Sequence, residues 1–151
     1  MPVIRQKEVE NQVNRVEKAI IFANQDKAGA QETSRAVAAF LAARGVASEI
    51  HSSLDFSASP SLDGVDLAIS LGGDGTVLAT ARYVACCGIP IFPVNLGNFG
   101  FITEVGLEDW QGDLAAYLDG QGALKSRLMI AVEVIRQGQK VFSATALNDI
   151  V

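Results

Sequence analysis

Short apolar runs recur along the sequence and predict the strands of a sheet. Three such runs lie at residues 18–23, 67–71 and 89–95, and residues 46–51, which are more polar, are predicted as a further strand. The run at 67–71 is almost wholly apolar, which is typical of a strand buried on both faces of a parallel sheet. Between and after these runs, apolar residues follow a helical period at residues 32–44, 77–87 and 108–118. The alternation predicts an α/β fold with a doubly wound, mostly parallel, Rossmann-like sheet at residues 18–123.

The two ends of the sequence depart from this alternation. Residues 1–17 are polar and mixed in charge, which predicts a mobile arm or a peripheral helix. Residues 124–151 are β-like, with Gly138 in a turn, and predict antiparallel strands that begin a β-rich domain. Because the sequence stops within an apolar run, we expect the chain to be the N-terminal piece of a longer protein, with most of that β-rich domain absent.

A glycine-rich loop follows the apolar run at 67–71 and is the strongest candidate for chemistry. It consists of Gly72, Gly73, Asp74, Gly75 and Thr76. The three glycines can adopt positive φ and let backbone amides approach a ligand, and the helix that follows favours an anion at its N-terminus. We therefore expect the loop to bind phosphate oxygens, with Asp74 pointing into the ligand. The alternative is that Asp74 or Thr76 simply caps the helix.

Two common nucleotide motifs are excluded at this loop. It does not end in Gly-Lys-Ser/Thr, so it is not a P-loop, and Leu78 stands where the dinucleotide fingerprint requires a third Gly or Ala. A second glycine loop at residues 95–101 follows the run at 89–95 and contains Gly97, Phe99 and Phe101. Because ligands bind at the carboxyl ends of parallel strands, we expect both loops to line one crevice. At least one phenylalanine is expected to pin the second loop to the core.

Composition narrows the classes of partner. The 151 residues carry a net charge of −5 without a cluster of Lys and Arg, so neither a nucleic acid nor an anionic membrane surface is an expected partner. The N-terminus is polar and no apolar run is long enough to cross a membrane, which favours a cytoplasmic protein. Cys86 and Cys87 have neither metal-site nor disulfide spacing, so we expect small buried hydrophobic residues there. His51, the sole histidine, is expected to be solvated.

Three blocks of sequence together resemble the NAD kinase family in its N-terminal domain. They are Leu71-Gly-Gly-Asp-Gly-Thr76, Val94-Asn-Leu-Gly-Asn-Phe-Gly-Phe-Ile102 and Leu147-Asn148-Asp149. The resemblance implies transfer of the γ-phosphoryl group of ATP, or of a phosphoryl group from polyphosphate, to the 2′-hydroxyl of the adenosine ribose of NAD, giving NADP. It also implies Mg²⁺ accompanying ATP, and a homo-oligomer, dimer or tetramer, for the full-length protein. The isolated chain is expected to have little activity.

The same resemblance implies roles for single residues. Asp74 would address the 2′-hydroxyl as the catalytic base, or would contact the metal. Asn148 would pair with the adenine edge, Asp149 would accept hydrogen bonds from ribose hydroxyls, and Phe101 would pack near the adenine. The glycine amides of the first loop, together with Gly97, would complete the nucleotide site.

Two other functions remain open at this point. Diacylglycerol-type lipid kinases and sugar kinases share the Gly-Gly-Asp-Gly loop, although such lipid kinases resemble one another in a Leu-Gly-Thr-x-Asn-Asp loop where this chain has Leu96-Gly-Asn-Phe-Gly-Phe101. A module that binds NAD(P) without catalysis is the second alternative.

Overall fold

The computed structural model describes residues 15–53, 60–98 and 100–147. Its elements, in chain order, are β1 Lys18–Ala23, α1 Ala30–Ala43, β2 Ala47–Ser52, β3 Leu67–Gly72, α2 Asp74–Val84, the short 3₁₀ turn Ala85–Cys87, β4 Ile91–Asn95, α3 Trp110–Leu118, β5 Met129–Arg136 and β6 Gln139–Leu147. Strands alternate with helices up to α3, and an antiparallel pair follows. The predicted α/β class is confirmed.

The main sheet is parallel and has the order β2-β1-β3-β4. The chain moves in one direction across the sheet from β1 to β2 and in the other direction from β3 to β4. Because crossovers between parallel strands are right-handed, α1 and α2 lie on opposite faces. Helix α3 shares the face of α1, where Val37, Leu41, Trp110 and Leu114 belong to one core cluster, whereas Val84 of α2 packs on the other face. The sheet is therefore doubly wound, as predicted.

Burial of the two central strands supplies most of the core. All six residues of β3 are buried, as are the last five of β1. Successive residues point to opposite faces, so Ile21 packs beneath α1 while Phe22 packs with Val84 on the other side. Each such large apolar side chain contributes about 1.5–3 kcal/mol when fully buried. The unbroken apolar run at 67–71 thus reflects two covered faces.

Local capping fixes the end of α1. Gly45 has φ +76, its N–H donates to the carbonyl of Ala42 at 3.0 Å, and Val46 N–H donates to the carbonyl of Leu41 at 2.9 Å. This pair of bonds is the Schellman arrangement, in which glycine takes the left-handed conformation just beyond the helix. The prediction that Gly45 ends this helix is confirmed.

The C-terminal hairpin consists of β5 and β6 alone. Gln137 and Gly138 both have positive φ, of 53° and 77°, as a two-residue type I′ turn requires. The turn at Gly138 is confirmed, but β5 begins at Met129 and not at residue 124. Val141 and Phe142 are more than half exposed. The assignment of this segment to a separate β-rich domain stays a prediction.

The predictions of burial at Trp110 and at the two cysteines have different outcomes. Trp110 is buried on the inner face of α3, as predicted, whereas Cys86 and Cys87 are exposed and the prediction of burial is wrong. The reason is that α2 ends at Val84, and the 3₁₀ turn that follows contains no buried residue. Residues 1–14 of the predicted arm and 54–59 of the loop before β3 lie outside the described residues. Among the helices described, none is both long and apolar enough to span a membrane.

Candidate active site

The first glycine loop is shorter than predicted because α2 begins at Asp74 and not at residue 77. Gly72 ends β3, and Gly73 is extended with φ −126°. The three glycines of this loop can adopt positive φ, but none of them lies in the left-handed region. Gly72 is required for a different reason: a Cβ there would collide with the side chain of Thr76. Close packing of the strand end against the first helical turn, and not backbone curvature, explains this glycine.

Asp74 joins the two glycine loops. Its Oδ2 accepts a hydrogen bond from the N–H of Phe101 at 2.8 Å. Its Oδ1 accepts three, from the N–H of Ile102 at 3.1 Å, the N–H of Thr103 at 3.2 Å and the Thr103 hydroxyl at 3.2 Å. We call these four bonds the Asp74 clasp. The clasp brings the loops after β3 and β4 together at the carboxyl edge of the sheet, where a shared crevice was predicted.

Helix capping does not account for Asp74. The N-cap residue of α2 is Gly73, and no side chain of the described residues caps that end. Asp74 instead directs its carboxylate to backbone amides that are 27–29 residues further along the chain. A residue used only to start a helix has no need of such partners, so the arrangement favours a role at the junction of the loops.

The clasp also sets the charge of Asp74. Partial burial raises the pKa of the carboxyl group, but the hydrogen bonds from Phe101, Ile102 and Thr103 outweigh it, so the pKa lies below its usual value. The carboxylate is therefore ionised at neutral pH, and its two oxygens share one negative charge at the N-terminus of α2. An anion at a helix N-terminus is further stabilised by the helix dipole.

We expect the clasp to make stability depend on acid pH. Because the pKa of Asp74 is lower in the folded than in the unfolded chain, its contribution is complete above the unfolded value of about 3.9 and is lost as pH falls through the folded value. Urea denaturation of the wild type and of Asp74→Asn, from pH 7 downwards, measures this. The stability difference between the two should be constant near neutrality and shrink below about pH 3.9. A difference that does not change over this range would contradict the clasp.

Asn95 and Thr103 hold the second loop in shape. Asn95 Nδ2 donates to the carbonyl of Asn98 at 2.7 Å and to Thr103 Oγ1 at 2.9 Å, while its Oδ1 accepts the N–H of Gly97 at 2.8 Å. Both side chains are buried, at 3% and 1% exposure. Neither was identified as a site residue from the sequence. The Asn-x-Gly pattern after a strand could have indicated the Asx turn at Asn95, whereas Thr103 carries no local signal.

Gly100 is a further residue that sequence reasoning missed. A Cβ at this position would overlap the carboxylate of Asp74, which is already held by its four hydrogen bonds. A residue with a side chain would not fit at position 100, because the Asp74 carboxylate occupies that space. The second glycine loop and Asp74 depend on each other sterically as well as through hydrogen bonds.

Removal of the Thr103 hydroxyl should loosen this loop. Thr103→Val keeps the shape but leaves Asn95 Nδ2, the Gly100 N–H and Asp74 Oδ1 each with one partner fewer. Loss of a buried hydrogen-bond partner costs about 1–3 kcal/mol, so we expect a decrease of that size in the free energy of unfolding. Denaturant titration measures the free energy of unfolding, with Thr145→Val at an exposed position of the C-terminal hairpin as the matched control. Equal stability of Thr103→Val and the wild type would show that the network contributes little.

The other predicted site residues differ in how exposed they are. Gly73, Gly75 and Gly97 have open space where a Cβ would stand; a Cβ at Gly97 would meet only Asn95 Oδ1, in ordinary contact at 4.0 Å. Thr76 is buried at 4% exposure, beneath the loop. Phe101 is 97% exposed, so its ring does not pin the loop; its backbone N–H does so through the clasp. Phe99, Asn148 and Asp149 lie outside the described residues.

Comparison with known proteins finds similar sequences. Residues 55–122 match the NAD kinase family profile for the ATP-NAD kinase N-terminal domain. The NAD kinase of Treponema denticola is 42% identical over 137 residues, which is 90% of this chain and 48% of that protein. The NAD kinase of Koribacter versatilis is 50% identical over 86 residues, 57% of this chain and 30% of that protein. The chain thus spans less than half the length of these relatives.

A solved structure shares the fold. The crystal structure of yeast NADH kinase complexed with NADH superposes with a TM-score of 0.62, at 15% identity, over 89% of this chain and 47% of that one. This likeness concerns the fold, while the sequence matches concern the family. By sequence, the chain therefore matches the N-terminal domain of the NAD kinase family.

Proposed function

We propose that the full-length protein is an NAD kinase, which transfers a phosphoryl group from ATP or polyphosphate to the 2′-hydroxyl of the adenosine ribose of NAD and produces NADP. The observation that carries the proposal is the Asp74 clasp, which assembles two family motifs around one ionised carboxylate at the carboxyl edge of a parallel sheet. Phosphoryl transfer asks a protein mainly to position the reactants and to orient the attacking hydroxyl.

The two oxygens of Asp74 are suited to different tasks. Among the described residues, Oδ1 accepts three hydrogen bonds, whereas Oδ2 accepts one, from the exposed Phe101 N–H. Oδ2 therefore keeps capacity to accept a second hydrogen bond on the exposed side. We assign Oδ2 to the substrate hydroxyl: it would accept the hydroxyl proton as the bond to phosphorus forms, while Oδ1 keeps the carboxylate in place.

The remaining groups would bind the nucleotides. Gly73 and Gly75 have open space where a Cβ would stand, so a phosphate could approach the backbone there and accept from amides at the start of α2. The exposed ring of Phe101 can pack against adenine, with Asn148 and Asp149 binding the adenosine. Among the described residues no group of three or more His, Cys, Asp or Glu side chains can hold a metal. Mg²⁺ would therefore enter with ATP, with phosphates and water as its main ligands.

The proposal also covers the location, oligomeric state and partners of the enzyme. We place it in the cytoplasm, as a homo-oligomer, with small-molecule substrates and neither nucleic acid nor membrane as a partner. The acidic balance of the chain, with 17 Asp and Glu against 12 Lys and Arg, supports the absence of a nucleic-acid partner.

A phosphoryl-transfer assay on the full-length protein tests the function. With ATP and Mg²⁺, or with polyphosphate, we expect NAD to be converted to NADP and diacylglycerol to remain unphosphorylated. Calorimetric titration with NAD is the companion measurement. Binding of NAD without transfer from either donor would identify a binding module, and phosphorylation of diacylglycerol without that of NAD would identify a lipid kinase. Either result would refute the proposal.

Substitution of the Asn-Asp motif should weaken substrate binding. Asn148→Ala and Asp149→Ala each remove a proposed polar partner of the adenosine, and such a loss costs about 1–3 kcal/mol. We expect the affinity for NAD to fall about five- to a hundred-fold in each variant of the full-length protein, measured by isothermal titration calorimetry. Unchanged affinity in both would remove these residues from the site.

A further inference from the structure

Two exposed thiols lie together at the end of α2. Cys86 and Cys87 are the only cysteines of the chain, and their Sγ atoms are 3.6 Å apart. They belong to a 3₁₀ turn, in which successive side chains are about 120° apart around the axis, so neighbouring side chains ordinarily diverge. Here both sulfurs instead point to the same place on the surface. The turn contains no buried residue, so core packing does not explain either cysteine.

A disulfide between the two cysteines is geometrically unfavourable. Adjacent residues have Cα atoms about 3.8 Å apart, whereas disulfides usually join Cα atoms about 4.4–6.8 Å apart. In addition, the Cys86 thiol and the Asp63 carboxylate raise the pKa of the Cys87 thiol, which keeps it protonated and slow to oxidise. The pair is therefore poorly suited to a redox switch.

A single atom that bridges the two sulfurs suits the geometry better. Two sulfurs bound to one tetrahedral zinc at about 2.3 Å lie about 3.8 Å apart, close to the separation of these Sγ atoms. A structural zinc takes four ligands, and no group of three or more metal-binding side chains occurs in the described part of the chain. The site favours a thiophilic centre that needs only two sulfurs.

We propose that Cys86 and Cys87 form a two-sulfur binding site for trivalent arsenicals. An arsenical R–As=O reacts with both thiols: two As–S bonds form, the As=O oxygen leaves as water with the two thiol protons, and arsenic stays trivalent. The hydrogen bond from the Cys86 thiol to the carbonyl of Tyr83 is given up in the reaction. Because the second As–S bond forms within one molecule, binding to the pair is roughly 10²- to 10⁴-fold tighter than to one thiol.

This dithiol site is distinct from the proposed catalytic site. Asp74 begins α2 and the cysteines follow its last residue, so the 11-residue helix separates them by roughly 16 Å. An arsenical bound at the thiols does not contact the Asp74 clasp.

Phenylarsine oxide provides the test, on the full-length protein with its thiols reduced. We expect intact-mass spectrometry to show an added arsenical that survives excess 2-mercaptoethanol and is removed by ethanedithiol, and peptide mapping to find such an adduct on the peptide that contains residues 86 and 87. Cys86→Ser and Cys87→Ser should each lose retention by roughly 10²-fold or more. Wild-type retention no better than that of either variant, or recovery of the two cysteines as a disulfide without bound arsenic, would overturn the proposal.

Because both side chains are exposed, the Ser variants are expected to melt at the wild-type temperature. If either melts lower, Cys86→Ala and Cys87→Ala serve in its place, and the same retention criterion applies. Retention by both Ala variants at the wild-type level would equally overturn the proposal.

Discussion

Replacing Asp74 with Asn in the full-length protein is expected to lower the turnover number for NADP formation by about 10²- to 10⁴-fold, the usual contribution of a general base. Asn keeps the size of the side chain and can still accept hydrogen bonds through one oxygen from Ile102 and Thr103. Its NH₂ group, however, cannot accept a proton from a hydroxyl, which is why turnover should fall. Because the size of the side chain and most of its hydrogen bonds are kept, we expect the affinity for NAD to stay within a few fold of wild type.

Steady-state kinetics and NAD titration on the same preparations distinguish three roles for Asp74: proton transfer, holding the two loops together, and binding NAD. A loss of turnover with retained affinity supports the assignment of Oδ2 to the substrate. Near-normal turnover would show that Asp74 only holds the loops together. If NAD affinity falls as much as turnover, the residue serves binding and not proton transfer.

Replacing Gly100 with Ala is expected to lower NAD kinase activity by about 10²-fold, because displacement of a reacting group by about 1 Å can have that effect. The added methyl group overlaps the carboxylate of Asp74, which has to rotate or shift and thereby gives up part of its clasp. The substitution thus moves the carboxylate that we propose to be catalytic, without replacing Asp74 itself.

Gly112→Ala is the matched control for this substitution. Gly112 is exposed on α3, and nothing lies within 4 Å of the added methyl group. Ala in a helix is favoured over Gly by about 0.8–1.0 kcal/mol, so this variant should be slightly more stable than wild type and fully active. Gly100→Ala with wild-type activity would show that the position of Asp74 is not critical.

The fold was largely predictable because its determinants are local or periodic. The strand at 67–71 is an unbroken apolar run because both faces are covered, and Gly45 marks a helix end because only glycine adopts φ +76 without strain. The errors also have physical causes. Cys86 and Cys87 are apolar enough for a core, but nothing in their own sequence shows that α2 ends just before them. Residue 124 is β-like in type, yet pairing with β6 begins at Met129.

The candidate site was only partly predictable, for a related reason. Asp74 and the glycines form a recognisable cluster, and the sheet rule brings the second loop near them. Gly100 and Thr103 owe their importance to the position of the Asp74 carboxylate, and a single sequence does not reveal contacts across 26–29 residues. The same limit applies to Gly72, whose role is the space taken by Thr76 and not a special φ.

Strand β3 is hydrogen-bonded on both sides, to β1 and to β4, whereas β2 has a neighbour on one side only within the described part of the chain. Native proteins open locally first where few contacts hold the chain, and the amides of doubly flanked, buried strands exchange with solvent only through unfolding of the whole domain. Asp74 stands two residues beyond Gly72, the end of this strand. Local opening of β2 or of the C-terminal hairpin therefore leaves β3, and with it the backbone of Asp74, in place. Destabilising substitutions in β2 or in the hairpin are thus expected to affect the position of the Asp74 carboxylate less than substitutions in β3.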